Sequence, residues 1–501
     1  MRDKSIVIIG AGMGGLSAGI HGQANGYRTS IYEAHTVPGG QAATWTRKGY
    51  SFDGCIHHLF GCRPGSRLNE LWHELGVMPR ELVATQECVA VMGTDGRLFV
   101  DYYDLERLRQ HTVELAPADR RATDAYVEEI RRCARHDFFG EMIFGSKAKL
   151  LGMLPTLVAL CPSFTSTMAD LGARFSDPLL RDGLPLTLYS APANPAILHL
   201  VMHAYGMNGD IAWPVGGATT LARSMAERYR ILGGELHLGR RVKEILTRDG
   251  KATGIRLADG SVVESDLVVS NADGRSTIMD LLGGRFVDDR IRAYCGRNPA
   301  SDETNWAVHV FLGVNRDLSK EPSSLVMLLD PPVDIAGHTC RSLEMQIYGM
   351  DPTMAPPGKG VIKVELFSRW SLWEELARDP ERYREEKERA ADKVIGVLER
   401  RWPGLRNDVE VVDVPTLITW KRFMGGDRGF VNMPTKTPSM LRSLLSSRLD
   451  SRLPGLAGFH LVGSWATSGG ALFLNALSGR RVVQDICRAD GRTFVAAKRR
   501  Q

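Results

Sequence analysis

The spacing of apolar and polar positions predicts a strand–helix–strand unit near the start of the chain. Residues 6–9 form a short apolar run, and residues 16–24 have helical spacing until Asn25-Gly26 stops them. A second strand is predicted over residues 27–32, ending at Glu33. Because a helix between two strands is typical of α/β proteins, we expect a parallel sheet here.

Helical and strand patterns then follow each other along the chain. Residues 101–210 have mostly helical spacing, whereas residues 304–370 alternate as strands do. Asp259-Gly260, between two strand-like runs, predicts a tight hairpin. A length of 501 residues exceeds what one simple core usually supports, so two intertwined domains are expected.

The segment from Gly10 to Gly15 has the spacing G-x-G-x-x-G directly after the first strand. Gly10 permits a tight turn, Gly12 lets the backbone approach a pyrophosphate, and Gly15 lets the helix pack close to the strand. Glu33 follows 23 residues after Gly10, where a carboxylate can accept hydrogen bonds from a ribose. The alternative is a glycine-rich turn without a ligand, but the flanking strand, helix and carboxylate favour a dinucleotide.

Two further glycine-rich segments favour FAD over NAD. Gly39-Gly40 follow soon after Glu33, where the chain has to pass close to a long cofactor. Near the C-terminus, residues 459–463 predict a strand, followed by Gly469-Gly470 and a helix from residue 471. A cofactor contacted by both ends of the chain suits FAD, although Gly469-Gly470 alone would fit an ordinary loop equally well. One complete fingerprint predicts no second, tightly bound NAD(P) domain.

The composition is that of an ordinary globular protein. Its net charge of +5 is spread over 63 basic and 58 acidic residues, so no nucleic-acid partner is expected, while contact with an anionic membrane surface would be tolerated. The eight cysteines include no C-x-x-C pair, which indicates neither a zinc site nor a disulfide framework. We therefore expect a cytoplasmic protein without a signal peptide.

The apolar segment 138–161 admits two interpretations. Glu141, Lys147, Lys149 and Pro155 interrupt it, so no run approaches the length of a membrane-spanning helix. It is either a buried helix pair of the second domain or an amphipathic element lying peripherally on the inner face of the membrane, with phenylalanine and leucine side chains in the lipid.

Several motifs follow one another along nearly the whole chain. They are Gly10-Ala11-Gly12-Met13-Gly14-Gly15, Glu33-Ala34, Gly39-Gly40, Tyr50-Ser51-Phe52-Asp53-Gly54, Trp213-Pro214-Val215-Gly216-Gly217, the strand at Val242, the strand 266–271, Gly463 and Ser478-Gly479-Arg480. In this order they resemble the phytoene desaturase, carotenoid isomerase and retinol saturase group of the flavin amine oxidase superfamily.

The resemblance implies an α/β fold with a Rossmann-like FAD-binding domain built discontinuously from residues 1–100, 212–290 and 410–501. A substrate domain of mixed sheet and helices, which is also the candidate for membrane association, is implied over residues 101–211 and 291–409. The implied FAD-binding residues are Gly10, Gly12, Gly14, Gly15, Glu33, Ala34, Gly39, Gly40, Gln41, Val242, Gly463, Ser464, Gly470, Ala471 and Leu472.

Two positions depart from the family pattern. The family often has arginine where this chain has Gln41, so a charged contact to phosphate is in doubt. Many flavoproteins have an acidic residue where this chain has Ser464, but a serine hydroxyl can still bond a ribityl oxygen.

The implied activity is hydrogen transfer to or from a carbon–carbon bond, or isomerisation of a polyene, in a hydrophobic isoprenoid or carotenoid-like substrate. Electrons are expected either to leave to oxygen or a membrane quinone or to arrive from a diffusible donor, and the sequence does not separate these routes. Two other functions stay open: an amine oxidase-type enzyme with a small polar substrate, and an FAD-binding protein without catalysis.

His57 and His58 are the candidates for catalysis, because the resemblance places their segment beside the flavin. The alternative is a structural pair hydrogen-bonded in a polar loop. No metal is expected, since two adjacent histidines without a carboxylate cluster in the sequence make a poor ligand set. Trp213, Trp420 and Phe430 are the predicted aromatic residues of the substrate pocket.

Overall fold

The computed structural model describes residues 4–144, 151–296, 303–426, 450–467 and 470–497. The strands in this part of the chain are β1 (Ser5–Ile9), β2 (Arg28–Tyr32), β3 (Thr44–Arg47), β4 (Tyr50–Asp53), β5 (Leu59–Phe60), β6 (Leu82–Val83), β7 (Glu87–Met92), β8 (Leu98–Tyr102), β9 (Ile211–Pro214), β10 (Glu235–His237), β11 (Val242–Arg248), β12 (Lys251–Leu257), β13 (Val262–Glu264), β14 (Leu267–Ser270), β15 (Glu303–Val314), β16 (Ser324–Ile335), β17 (His338–Ile347), β18 (Gly360–Arg369), β19 (Val409–Asp413) and β20 (Phe459–Leu461).

The helices lie mostly between the sheets and in the stretch that follows β8. They are Met13–Ala24, Arg67–Leu75, Leu105–Leu115, Arg120–Cys133, Phe138–Phe144, Leu154–Ala159, Cys161–Thr165, Met168–Gly172, Pro178–Gly183, Ala196–Met207, Ala218–Ile231, Gly274–Ser276, Asp289–Gly296, Trp370–Leu376, Pro380–Leu398, Leu405–Asp408, Leu417–Met424 and Leu472–Ala489. The prediction of a mostly helical region between residues 101 and 210 is confirmed.

A five-stranded parallel sheet contains the predicted β1–helix–β2 unit. Its strand order is β10-β2-β1-β14-β20, and every neighbouring pair is parallel. Val7 and Ile8 are both buried although successive side chains of a strand point to opposite faces, so both faces of β1 are covered. In a parallel sheet the carboxyl ends of all strands meet at one edge, and that edge becomes the ligand site in α/β proteins.

Three helices cover one side of this sheet through close contacts. The Ser17 hydroxyl of the first helix donates to the carbonyl of Ala476 at 2.6 Å. A Cβ added at Gly479 would lie 2.3 Å from the Gly14 carbonyl oxygen, and one at Gly19 would lie 2.8 Å from the Tyr229 ring. The glycines therefore bring the first helix close to both Leu472–Ala489 and Ala218–Ile231.

The larger sheet has seven strands in the order β19-β15-β18-β17-β16-β7-β8. Its central pairs β15–β18, β17–β18 and β16–β17 are antiparallel, while β7 joins β16 in parallel. The proposed domain boundaries at residues 100 and 410 fall inside β8 and β19. The domain division stays a proposal, and the pairing favours assigning residues 87–102 to the substrate domain.

A buried polar cluster ties β8 to the helix Ala196–Met207. Asp101 lies 3.3 Å from the Nε2 atoms of both His199 and His203, and these three side chains are fully buried. Tyr126 donates to Asp101 at 3.0 Å. Burial alone would raise the pKa of Asp101, but the two histidines hold it below its usual range.

The segment 138–161 is partly buried and partly exposed. Phe138 is 3% exposed, whereas Leu151, Leu154 and Val158 are 68%, 55% and 69% exposed. Lys147 and Lys149, which belong to the membrane interpretation, lie outside the described residues. Within the described residues, no helix combines the length and apolar composition needed to cross a bilayer.

Candidate FAD site and adjoining cavity

The glycine loop turns sharply from β1 into the first helix. Gly10 has φ +92° and donates its N–H to the Tyr32 carbonyl at 2.8 Å, which fixes the loop against β2. A Cβ on Gly15 would lie 2.1 Å from the Gly10 carbonyl oxygen. Both positions therefore require glycine, as the fingerprint predicts.

Glu33 holds the loop from the end of β2. One carboxylate oxygen accepts the Ala11 N–H at 2.7 Å, and the other accepts the His35 N–H at 2.8 Å. Each carboxylate oxygen has a further lone pair that can accept a bond from a ligand hydroxyl. The site thus presents a fixed acceptor beside the loop, where the ribose was expected.

Asn271 is a site residue that the sequence reasoning missed. It follows β14, and its side-chain amide lies among the glycines of both chain ends. A Cβ added at Gly12, Gly14 or Gly463 would lie within 2.5–2.6 Å of an Asn271 side-chain atom. The signal available in the sequence was its position directly after a buried strand, where sheet-edge residues of α/β proteins meet ligands.

The second glycine pair lies against the first. Gly39 donates its N–H to the Ala11 carbonyl at 2.9 Å and forms a bridge with Gly12. Its φ is +126°, and an added Cβ would lie 2.7 Å from the Ala42 carbonyl oxygen. Gly40 follows with φ +58°.

The C-terminal segment closes the other side. The Ser464 hydroxyl donates to the Asn475 side-chain oxygen at 3.0 Å, and the Asn475 amide donates to the carbonyls of Gly470 and Ala471 at 3.1 Å each. The helix Leu472–Ala489 begins directly afterwards, and its N-cap Ala471 provides no side-chain cap. Its first N–H groups and positive dipole end are therefore available to a ligand.

These segments line one continuous cleft of about 720 Å³. The predicted residues along it are Gly10, Gly12, Gly14, Glu33, Ala34, Gly39, Gly40, Gln41, Val242, Ser464, Gly470 and Leu472. Gly15, Gly463 and Ala471 are their immediate neighbours in the chain. Arg241, Trp45 and Asp413 also line the cleft and were not predicted.

The donor set fits FAD. Backbone N–H groups at a helix N-terminus suit a pyrophosphate, the Glu33 carboxylate suits a ribose diol, and a second helix N-terminus lies at the far end. Side chains in place of the glycines would collide with neighbouring atoms of the cleft, as the short Cβ contacts show. The individual roles of these residues stay predictions.

An aromatic wall borders the cleft near β3. Trp45 and Trp420 meet edge to face with ring centres 6.0 Å apart, and both line the cleft. A Cβ on Gly54 would lie 2.6 Å from Trp420 and 2.9 Å from Trp45. Gly54 therefore makes room for this wall. Phe430, which was predicted for the substrate pocket together with Trp420, lies outside the described residues.

Asp53 positions the segment that carries the two histidines. It is fully buried, and one of its oxygens accepts the N–H groups of Cys55 and Ile56 at 2.9 and 3.0 Å. The other oxygen accepts the Ala218 N–H at 2.6 Å and the Thr44 hydroxyl at 2.8 Å. The Asp53 carboxylate thus fixes the segment that leads from the cleft to a second, smaller cavity.

The second, smaller cavity has a volume of about 40 Å³. His57, His58, Tyr189, Trp213 and Glu344 are among its lining residues. Trp213, predicted for the substrate pocket, faces this cavity, and its contact with substrate stays a prediction. Burial and the neighbouring His57 lower the pKa of His58 to about 3, so His58 is neutral at physiological pH.

A buried charged cluster stands beside His57. The Nε2 atom of His57 lies 3.3 Å from one carboxylate oxygen of Glu365. The other carboxylate oxygen of Glu365 lies 2.7 Å from the fully buried Lys363 ammonium. Glu344 is directly opposite Glu365 across β17 and β18. The sequence has no carboxylate cluster near the histidines, whereas the structure brings two carboxylates there from the distant strands β17 and β18.

Comparison with known proteins shows the family to which the chain belongs. Residues 13–487 match the family model described as flavin containing amine oxidoreductase. A lycopene-forming phytoene desaturase from Paracoccus sp. is 27% identical over 82% of this chain and 84% of its own length. The chloroplastic prolycopene isomerase of Arabidopsis thaliana is 26% identical over 96% of this chain and 82% of its own length.

Solved structures show the same fold. An oxidoreductase from Methanosarcina mazei superposes with a TM-score of 0.59 at 18% identity, covering 96% of this chain and all of its own. A putrescine oxidase variant gives 0.60 at 15% identity, with 97% and 99% covered.

The fold and the cleft define an FAD-dependent oxidoreductase with a Rossmann-like cofactor domain and a mixed-sheet substrate domain. The chain belongs to the flavin-containing amine oxidoreductase family, and the resemblance to its phytoene desaturase and carotenoid isomerase-like members is confirmed.

Proposed function

We propose that this enzyme transfers hydrogen to or from carbon–carbon bonds, or isomerises double bonds, in a hydrophobic isoprenoid of the carotenoid type. The observation that carries the proposal is the similarity, over most of both chains, to proteins named phytoene desaturase and prolycopene isomerase. When bound, FAD supplies the two-electron redox chemistry that such reactions require.

The site supports an apolar substrate. Trp45, Trp420 and Leu472 line the cleft and offer aromatic and aliphatic surface to a hydrocarbon. Trp45 is held in place because its indole N–H donates to Asp413 at 2.8 Å. Its ring face is therefore presented in one orientation.

We further propose that the enzyme draws its substrate from a membrane surface and passes electrons to oxygen or a quinone. Leu151, Leu154 and Val158 expose apolar side chains within eight residues of one another, as an element lying on a lipid surface would. Leu154 and Val158 are four residues apart in the helix Leu154–Ala159 and so share one face.

The test is anaerobic incubation of the FAD-loaded protein with a panel of isoprenoids, with simple amines as the comparison. Bleaching of the flavin by a more saturated polyene, with a dehydrogenated product in the mass spectrum, demonstrates desaturation. Reoxidation of pre-reduced flavin by a polyene demonstrates saturation, and a geometric isomer without net change in flavin demonstrates isomerisation. Bleaching by amines but by no isoprenoid would refute the proposal.

A further inference from the structure

The wall between the cleft and the small cavity carries four ionisable side chains: the buried Glu344, Lys363 and Glu365, and the half-buried His57. Cys55 lines the cleft on one side of this wall, while His57 and Glu344 line the cavity on the other. A nitrogen of His57 and one oxygen each of Glu344 and Glu365 lie within 4.8 Å of one another. Burial of so many charges has an electrostatic cost unless they neutralise one another.

The strand register fixes which carboxylate is ionised. Glu365 lies between Lys363, at 2.7 Å, and His57, at 3.3 Å. Burial alone would raise the pKa of Glu365, but these two neighbours hold it well below its usual range. Glu365 is therefore a carboxylate, and the Lys363 ammonium balances its charge.

Glu344 is in the opposite situation. It faces Glu365 directly across the strand pair, where two like charges repel each other. Burial and the Glu365 charge raise the pKa of Glu344 to about 7, against the smaller lowering effects of His57 and Lys363. Glu344 therefore binds a proton near neutral pH, while its partner across the strands does not.

The neighbours of Glu344 from other elements do not alter this assignment. His57 approaches from the segment after β4, and the Ser190 hydroxyl from the segment before the helix Ala196–Met207. Tyr189 adjoins them, and burial raises the pKa of its hydroxyl above the usual range, so it stays neutral. The charge seen by Glu344 thus comes from β18 and from His57.

We propose that Glu344 and His57 form a proton-exchange pair serving the reaction in the cleft, and that Glu365 and Lys363 are positioning residues that hold His57 and fix the charge. The inference rests on the proposed function, because moving hydrogen to or from a carbon–carbon bond requires a group that releases or accepts a proton. In the exchange, the Glu344 O–H bond breaks and an N–H bond forms on the imidazole, or the reverse. The imidazolium and the Glu344 carboxylate formed in this step balance each other, Glu365 and Lys363 stay paired, and no electrons move.

The cavity provides the path between the two groups. Their atoms lie within 4.8 Å of each other, a distance that one bridging water can span. A volume of about 40 Å³ exceeds what a single water needs. Both side chains face this volume, so a proton can pass between them without entering the apolar part of the cleft.

The test begins with a measurement that needs no substrate. The infrared spectrum of the FAD-loaded protein is recorded as a function of pH, in the region of the protonated-carboxyl C=O stretch. We expect a band that disappears as the pH rises through neutrality. It should be missing in Glu344→Gln and present in Glu410→Gln, the matched control, which changes an exposed carboxylate of the same sheet.

The electrostatic coupling between His57 and Glu344 is tested with His57→Gln. Because His57 lowers the pKa of Glu344, its removal should make the band persist to higher pH. A band that is missing from the wild type, unchanged in Glu344→Gln, or unmoved in His57→Gln would overturn the inference. Retention of bound flavin by both variants, read from its absorbance, shows that they are folded.

The use of the pair is then tested with an isoprenoid that the enzyme accepts. The pH profile of the flavin reduction or reoxidation rate should lose its near-neutral limb in Glu344→Gln, with kcat falling more than KM rises. A profile identical to that of the wild type would overturn the role in the reaction. If no isoprenoid reacts while the infrared band titrates as expected, the proposed substrate class fails and the proton-exchange pair is supported.

Discussion

Replacing Glu33 with glutamine should loosen FAD without unfolding the protein. The carboxylate accepts two backbone N–H groups, from Ala11 and His35, at 2.7 and 2.8 Å. An amide of the same shape has one oxygen, so one N–H would face an NH₂ group that cannot accept its bond. A hydrogen bond to a charged group contributes roughly 1.5–3 kcal/mol.

The backbone bond is lost whether or not FAD is bound, so the change in affinity comes from the predicted bond between a ribose hydroxyl of FAD and this carboxylate. With about 1.4 kcal/mol per tenfold change, losing one such charge-assisted bond raises the dissociation constant for FAD by roughly 10- to 100-fold. The Ala11 N–H belongs to the glycine loop, so the disturbance reaches the pyrophosphate side of the cleft as well as the ribose side.

The assay is titration of the apoprotein with FAD, followed by flavin fluorescence, with release of FAD from the holoprotein as a second measurement. Glu264→Gln is the matched control, since Glu264 is exposed at the end of β13 and should leave the affinity unchanged. Equal FAD affinity in Glu33→Gln and the wild type would refute the reasoning that this carboxylate organises the cofactor site.

Three further substitutions test other parts of the structure. Gly15→Ala should abolish FAD binding, because its Cβ would lie 2.1 Å from a backbone oxygen. Its control is Gly396→Ala, at an exposed helix position, which should leave FAD binding unchanged and stabilise the fold by about 0.5–1 kcal/mol. Flavin absorbance measures the binding in each variant, and urea unfolding measures the stability. Asp101→Asn should cost about 3–5 kcal/mol of unfolding free energy in urea at pH 7, since it removes the charge between two buried histidines; a loss below 1 kcal/mol would contradict this account. Glu344→Gln should remove one contribution to the pH dependence of the free energy of unfolding. A pKa raised from 4.5 to about 7 means that folding takes up a proton, so wild-type stability falls on the order of 3 kcal/mol as the pH rises through that window, and the difference between the wild type and the variant should show this slope. Parallel stability curves for the two proteins would show that Glu344 does not titrate there.

The cofactor half of the site could be predicted from the sequence because its determinants are local. Gly10, Gly15 and Glu33 lie within one strand–helix–strand unit, where spacing along the chain fixes spacing in space. The glycine pair after Glu33 indicates that Gly39 approaches the cofactor, but its contact with Gly12 depends on a loop path that spacing does not determine.

The charged wall could not be predicted because it depends on strand register. Glu344 faces Glu365 since β17 pairs with β18 in one particular alignment, and a shift of one strand by one residue would put the two side chains on opposite faces of the sheet. His57 comes from the segment between β4 and β5, far from both strands in the sequence. In the sequence these residues are single charged positions in long strands, and nothing in the pattern distinguishes them from solvent-exposed ones.

The order of strands in the parallel sheet has a consequence for how the enzyme is made. β1 and β2 leave the ribosome first, but β14 is made some 200 residues later and β20 almost 200 residues after that. Until residues 459–489 have been synthesised, β14 presents an open edge, and the flavin end of the cleft lacks Ser464 and the helix Leu472–Ala489. Capture of the cofactor therefore follows the synthesis of residues 459–489, and until then the nascent chain depends on other means to keep its unfinished sheet from pairing with the wrong partner.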